Sequence, residues 1–84
     1  MEKITKEEVE KVIKKIDEGL TFTEWTEDRE PISEYYKKGD VYKKGTFLHQ
    51  AIAPPIVFKS VEELRADLKG ISLCKELKEE LKKF

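Results

Sequence analysis

The chain lacks the residues on which most enzymes and metal sites depend. Its 84 residues include one cysteine, one histidine, one tryptophan, one glutamine and no asparagine. A lone cysteine cannot form an internal disulfide, and a structural zinc site needs more Cys and His ligands than one such chain supplies. We therefore predict no metal, no cofactor and no catalytic residues. Among the side chains, only the cysteine, Cys74, lies in a sequence context that could make it reactive.

Long apolar runs are also missing. The first residues, Met1–Glu8, contain no apolar region of the kind found in a signal peptide, and no stretch is long enough to span a bilayer. We expect a cytoplasmic protein that does not associate with membranes. A chain of this length has room for one hydrophobic core, so residues 1–84 are predicted to form a single compact domain.

Charged residues are abundant. Asp, Glu, Lys and Arg make up 42% of the chain, with 15 lysines, 14 glutamates and a net charge of −1. This near-neutral balance argues against nucleic-acid binding by the protein as a whole, although a local basic patch is compatible with it. The richness in Lys and Glu is typical of helical ion-pair networks, and of either a thermophilic or a designed sequence.

Three segments have the signals of amphipathic helices. Thr5 and Glu8 form a capping box ahead of an apolar stripe, which predicts a helix from Lys6 to Glu18 that ends at Gly19. Ser60 and Glu63 predict a second helix that ends at Gly70. Ser72 is predicted to cap a third. Its apolar residues recur at spacings of four, four and three, at Leu73, Leu77, Leu81 and Phe84.

Strand signals lie between the first two helices. Alternation over Leu20–Thr26 predicts a strand. Residues 31–38 fit either a strand, which we prefer because adjacent tyrosines favour sheets, or a short helix that begins at Pro31. The predicted fold class is therefore α+β: an N-terminal helix, a small and mostly antiparallel sheet of three to four strands, and two C-terminal helices packed on the sheet.

One stretch, Thr46–Phe58, contains no charged residue and is predicted to be the centre of the core. Within it, Thr46–Ile52 has the pattern of a central buried strand, in which His49 would be a packed histidine. By contrast, the acidic residues between Glu24 and Glu34 are predicted to form a solvated loop.

The segment Ala53–Ile56 gives the leading hypothesis about function. A rigid, apolar turn on so polar a protein would be a docking site that loses little entropy on binding, whereas the alternative is that it folds into the core. With nearby aromatic residues it suggests a non-enzymatic interaction or regulatory protein that binds another protein. A homodimer is possible. The predicted partner-binding residues are Trp25, Tyr35, Tyr42, Pro54 and Pro55.

A short repeat supports an alternative. Tyr-Lys-Lys-Gly occurs twice, ending at Gly39 and at Gly45, and each copy could form a tight turn on either side of a short strand at Val41–Tyr42. Tyrosines interleaved with lysines also occur in single-stranded nucleic-acid sites. That alternative assigns nucleic-acid contacts to Tyr36, Lys37, Lys38, Tyr42, Lys43 and Lys44.

Cys74 supports a third hypothesis, a thiol-dependent enzyme. If Ser72 caps the last helix, Cys74 lies in its first turn, where unpaired N–H groups stabilise a thiolate. His49 would then act as its base. The competing interpretation is that Cys74 packs in the core as a small, inert apolar residue.

Overall fold

The computed structural model describes residues 1–48, 51–52 and 54–84. The described chain begins with a short strand and alternates between helix and sheet. In chain order the elements are β1 (Glu2–Lys3), α1 (Lys6–Asp17), β2 (Phe22–Trp25), β3 (Pro31–Lys38), β4 (Val41–Leu48), β5 (Ala51–Ile52), β6 (Ile56–Phe58), α2 (Val61–Leu68), β7 (Ser72–Leu73) and α3 (Lys75–Lys83).

The main sheet is antiparallel and has the strand order β2-β3-β4. The strands β5 and β6 lie one after the other along the far edge of β4. The two short strands pair with different parts of β4, and their registers differ by one residue. Pro54 lies between them, and its missing N–H explains why the ladder is interrupted there. The predicted α+β architecture is confirmed, and residues 31–38 form a strand.

The first helix forms as its local signals predict. The Thr5 hydroxyl accepts a hydrogen bond from the Glu8 N–H, and the Glu8 carboxylate accepts one from the Thr5 N–H. Gly19 has a φ of +90°, the left-handed conformation that favours glycine after a helix. One face of α1 is buried, namely Val9, Val12, Ile13 and Ile16.

The start of the last helix differs from the prediction. Ser72 does not cap it, because Ser72 lies in β7 and pairs with Lys3 of β1. The N-cap is Cys74, whose side chain makes no capping hydrogen bond. The pairing joins residues about 70 positions apart, so no local pattern around Ser72 could indicate it.

The helices cover one face of the sheet, here called the inner face. Helix α1 packs against β2, β3 and both other helices, while α2 lies over β6 at one edge. The inner-face residues at the centre are Phe22, Tyr35 and Phe58, and they join the helices in one buried cluster. Glu24 is also buried, contrary to the predicted solvated loop, and it accepts a 2.7 Å hydrogen bond from the Ser33 hydroxyl.

Among the described side chains of the charge-free stretch only Phe58 belongs to the buried core, and the predicted single central strand over Thr46–Ile52 is wrong in its bounds. Strand β4 already begins at Val41 and ends at Leu48, and Ala51–Ile52 folds back to pair with its last two residues. The side chain of Phe47 is 47% exposed. Pairing with β3 sets the extent of β4, so the strand includes Lys44, whose side chain binds the α2 carboxylate of Asp67. His49, Gln50 and Ala53 lie outside the described residues.

The two Lys-Lys-Gly copies have different structures. Gly39 forms the turn between β3 and β4 with a φ of +62°, as predicted. Gly45 lies within β4 and not in a turn, and the side chain of its cross-strand partner Glu34 passes over it. A Cβ at position 45 would be only 3.3 Å from the Cγ of Glu34. Local turn chemistry therefore explains the first glycine, and a cross-strand neighbour explains the second.

Stability is expected to fall in acid through the contact between α1 and α3. Burial raises the pKa of Glu8, but hydrogen bonds from Lys78 and from the Thr5 N–H outweigh it and hold the pKa below its usual value. A carboxylate with a lowered folded-state pKa stabilises the fold above its unfolded pKa of about 4.3 and loses that contribution as the pH falls. Urea denaturation of Glu8→Gln should therefore show lower stability at pH 7 and a weaker decline below about pH 4.3. The exposed Glu7→Gln variant is the control, and equal pH profiles for the two variants would contradict the expectation.

Candidate functional site

The strands β3 and β4 divide the tyrosine–lysine repeat between the two faces of the sheet. Opposed residues of an antiparallel pair share a face, and successive residues alternate between faces. Tyr35 is paired with Lys44, and Lys37 with Tyr42, so these four lie on the inner face with the helices. The residues of the repeat on the other face, here called the open face, are Tyr36, Lys38 and Lys43.

The pair Tyr35 and Lys44 binds the last turn of α2. The Tyr35 hydroxyl donates a 2.7 Å hydrogen bond to Oδ2 of Asp67, and Lys44 Nζ lies 3.0 Å from the same oxygen. The ammonium group of Lys44 also lies 5.1 Å from the centre of the Tyr35 ring. Burial, followed by the hydrogen bond to Asp67, raises the pKa of Tyr35 well above its usual value. This tyrosine has no exposed surface and anchors the sheet to α2.

The pair Tyr42 and Lys37 binds the end of α1 in the same manner. The Tyr42 hydroxyl donates a hydrogen bond to Oδ1 of Asp17, and Lys37 Nζ lies 3.5 Å from that oxygen. The hydrogen bond to Asp17 is the main reason why the pKa of Tyr42 is raised to about 12. Two Tyr–Lys–Asp clusters, one at the end of α1 and one at the end of α2, therefore account for four of the residues predicted to bind ligands.

These clusters remove residues from both the predicted partner-binding set and the predicted nucleic-acid set. Tyr35 is buried and cannot contact a partner, and the Tyr42 hydroxyl is bonded to α1. In the predicted nucleic-acid set, Lys37 and Lys44 likewise form ion pairs with helix carboxylates. What remains accessible of that set is the open-face group described above. Glu34 lies on the same face and adds a negative charge beside it.

The other predicted partner-binding residues lie at opposite edges of the sheet. Trp25 ends β2, which is one edge strand, whereas Pro54 and Pro55 precede β6 at the other edge. Three strand spacings separate the edges, about 14 Å. Trp25 and the two prolines therefore cannot form one compact site.

Trp25 lines a cavity of about 550 Å³ between the β2–β3 loop and the start of α3. Cys74 and Leu77 contribute the apolar wall on the helix side. Across the rim, Arg29 and Glu76 form an ion pair of 2.9 Å. The cavity is within the size range of small-molecule sites, but the charges of its rim are of both signs and partly paired with one another.

Cys74 is expected to react slowly with alkylating reagents. Its side chain is buried beside Leu73 and Leu77, so reagents reach it only through the cavity or through local opening. Iodoacetamide at neutral pH should modify the folded protein at least about tenfold more slowly than the urea-unfolded chain. Mass spectrometry over time measures both rates. A faster reaction in the folded state would instead favour the thiol-enzyme hypothesis, whose proposed base, His49, lies outside the described residues.

A third region combines exposed apolar side chains with an unpaired sheet edge. Ile56 is 49% exposed, Val57 is 54% exposed, and Phe47 of the neighbouring strand is about as exposed. Pro54 and Pro55 are exposed beside them. We call these five residues the edge surface. Sequence reasoning identified its two prolines and, within the segment Ala53–Ile56, Ile56, but not Phe47 and Val57, because it assigned the rest of the charge-free stretch to the core or to a connecting strand.

Comparisons with protein-family models, with curated proteins and with solved structures yield no match to this chain. None of the three helices in the described part of the chain has both the length and the apolar character needed to cross a bilayer. Within residues 1–48, 51–52 and 54–84, no three His, Cys, Asp or Glu side chains are grouped so as to hold a metal ion.

Proposed function

We propose that this chain is a non-enzymatic protein-binding module and that the edge surface is its contact site. The observation that supports this is the concentration of exposed apolar side chains at Phe47, Ile56 and Val57. These are three of the eight large apolar residues exposed in the described chain, and two exposed prolines adjoin them. Exposed apolar side chains grouped along one edge of a sheet are typical of interaction sites.

The backbone of β6 supports the same proposal. One side of β6 pairs with β4, and no strand in the described residues pairs with the other side. Ile56 and Val57 project to opposite faces of the sheet, yet both are exposed, so α2 does not cover the edge at these positions. Unpaired N–H and C=O groups at such an edge can accept an extended segment of another protein as an added strand.

The prolines limit where such a strand could bind. Neither Pro54 nor Pro55 has an N–H to donate, so a continuous ladder cannot extend from β6 along this segment. Prolines at an edge also protect against uncontrolled association. A partner strand would therefore pair with Ile56–Phe58 and contact the prolines only through side chains.

Loss of the apolar side chains should weaken partner binding without loss of the fold. The double variant Ile56→Ser/Val57→Ser removes two side chains that are about half exposed and lie outside the buried core, and it should weaken partner affinity about tenfold or more. A photo-crosslinking residue at position 57 can identify the partner in an extract of the source organism. Affinity is then measured with the purified partner.

Leu20→Ser provides the matched control, because Leu20 is equally exposed but lies outside the edge surface. Binding should survive in this variant. If the Ile56→Ser/Val57→Ser variant keeps a folded circular-dichroism spectrum and full affinity for the crosslinked partner, the edge surface is not the contact site.

Binding of single-stranded nucleic acid is the second candidate. Tyr36 and Lys43 are direct cross-strand neighbours on the open face, with Lys38 near them, and this combines a stacking surface with phosphate-pairing charge. The candidate ranks second because only these three residues of the predicted set remain accessible and Glu34 lies beside them.

A further inference from the structure

We propose that the partner segment added to β6 is an extended strand in which acidic residues flank an apolar centre. This inference rests on the proposed function and specifies the chemistry of its partner. It follows from the charges around the edge surface, from the alternation of side chains along β6, and from what a second copy of the chain would bring to the same edge.

Two lysines near the apolar residues have no ion-pair partner among the described residues. Lys43 lies directly opposite Val57 on the open face, and Lys59 follows the last residue of β6. Neither lysine takes part in a salt bridge within the described chain, whereas the nearby Lys44 forms an ion pair with Asp67. The carboxylate of Glu63 accepts a hydrogen bond from the backbone N–H of Lys59, and Glu34 lies on the open face with Lys43, but neither carboxylate forms a salt bridge with these lysines in the described chain. The edge surface is therefore apolar, and two lysines without an ion pair border it.

A second copy of this chain fits the edge poorly. Antiparallel pairing of β6 with its own copy would bring the lysines at positions 43 and 59 of both chains to one joined sheet and would add no carboxylate opposite them. An excess of like charge at a joined edge opposes association, and such repulsion is a common means of rejecting the wrong partner. The same border attracts a strand that carries carboxylates.

The alternation of β6 sets the pattern of the partner. Val57 points to the open face, so the partner residue opposite it should be apolar. Partner residues two positions before and after that centre lie on the same face, opposite Pro55 and Lys59, where a carboxylate can pair with Lys59 directly and with Lys43 only across the width of β6. The intervening residues face the side of Ile56 and should be apolar and β-branched. The predicted pattern is acidic-apolar-apolar-apolar-acidic, which reads the same in both chain directions.

Two peptides test this pattern. The acidic probe is acetyl-Thr-Glu-Ile-Val-Ile-Glu-Thr-amide, and the control probe has Lys in place of both Glu residues. The protein has a net charge of −1, so non-specific attraction would favour the lysine peptide. Amide chemical shifts of the ¹⁵N-labelled full chain at low salt report both the affinity and the location of binding.

The acidic peptide should shift the amide signals of Ile56–Lys59 and Lys43 and should bind about tenfold more tightly than the lysine peptide. The double variant Lys43→Glu/Lys59→Glu should reverse this preference. The double variant Lys82→Glu/Lys83→Glu, altered at the distant end of α3, should retain it. Added salt should reduce the difference between the peptides.

The inference is overturned if both peptides bind equally or if neither shifts the signals of β6. It is also overturned if a twelve-nucleotide oligothymidylate binds the open face of the protein and the acidic peptide does not bind the protein. These failures differ from a failure of the proposed function. If the Ile56→Ser/Val57→Ser variant loses its crosslinked partner but the peptides are not discriminated, the contact site stands and only the assigned chemistry fails.

Discussion

Replacing Phe22 by alanine should lower the free energy of unfolding by about 3–5 kcal/mol, whereas the same change at Phe47 should lower it by less than about 1 kcal/mol. Phe22 is 1% exposed and lies on the inner face against Tyr35, with ring centres 6.3 Å apart. Its removal leaves a cavity between sheet and helices. Phe47 lies on the open face, and much of its ring already contacts water.

The two phenylalanines make a matched pair because the chemical change is identical and only the burial differs. A domain of this size is expected to have a stability of about 4–12 kcal/mol, so the Phe22→Ala variant loses a large share of it. Urea denaturation followed by circular dichroism at 222 nm gives both values. Similar losses at the two positions would contradict the fold, because they would place the charge-free stretch in the core after all.

Replacing Asp67 by alanine should lower the free energy of unfolding by about 2 kcal/mol, with a smaller loss of about 0.5–1 kcal/mol for Asp17→Ala. Both aspartates bind one tyrosine hydroxyl and one lysine, but their surroundings differ. The Tyr35 side chain beside Asp67 has no exposed surface, so its hydroxyl would lose its acceptor without access to water. The Tyr42 hydroxyl beside Asp17 is exposed, so water can replace the lost carboxylate.

A double-mutant cycle isolates the hydrogen bond between Tyr35 and Asp67. Tyr35→Phe alone should cost about 1 kcal/mol, but in the Asp67→Ala background it should cost close to nothing, since the unsatisfied hydroxyl is then removed. Additive losses would show that the two side chains do not interact. Equal losses in Asp67→Ala and Asp17→Ala would show that burial does not distinguish the two clusters.

The helices could be predicted from the sequence because their signals are local. The capping box of Thr5 with Glu8 and the left-handed Gly19 act within a few residues of the helix ends, and α1 forms between them. The apolar stripes at helical spacing indicated which face of each helix is buried. Residues 31–38 were harder, since strand and short helix were both compatible with the pattern.

The candidate site could not be predicted in the same way. Trp25 and Pro55 are 30 residues apart in sequence, and only the strand order places them at opposite edges of the sheet. The start of α3 was misplaced because Ser72 pairs with Lys3 across the length of the chain. The exposure of Phe47 depends on the reversal of the chain that follows it, and a charge-free run indicates burial only when another element covers it.

The sequence by itself determined the α+β class, the bounds of α1 and the scarcity of cysteine and histidine, because composition and local hydrogen-bonding signals set these features. Only the tertiary structure decided what the lysines and tyrosines do. Asp17 and Asp67 lie near helix C-termini, where the helix dipole disfavours carboxylates, so local helix rules do not explain why they occur there. Their ion pairs with Lys37 and Lys44 depend on the docking of the β3–β4 hairpin on the helices. That docking turns part of an apparent binding repeat into anchors and leaves the edge at Ile56 and Val57 exposed.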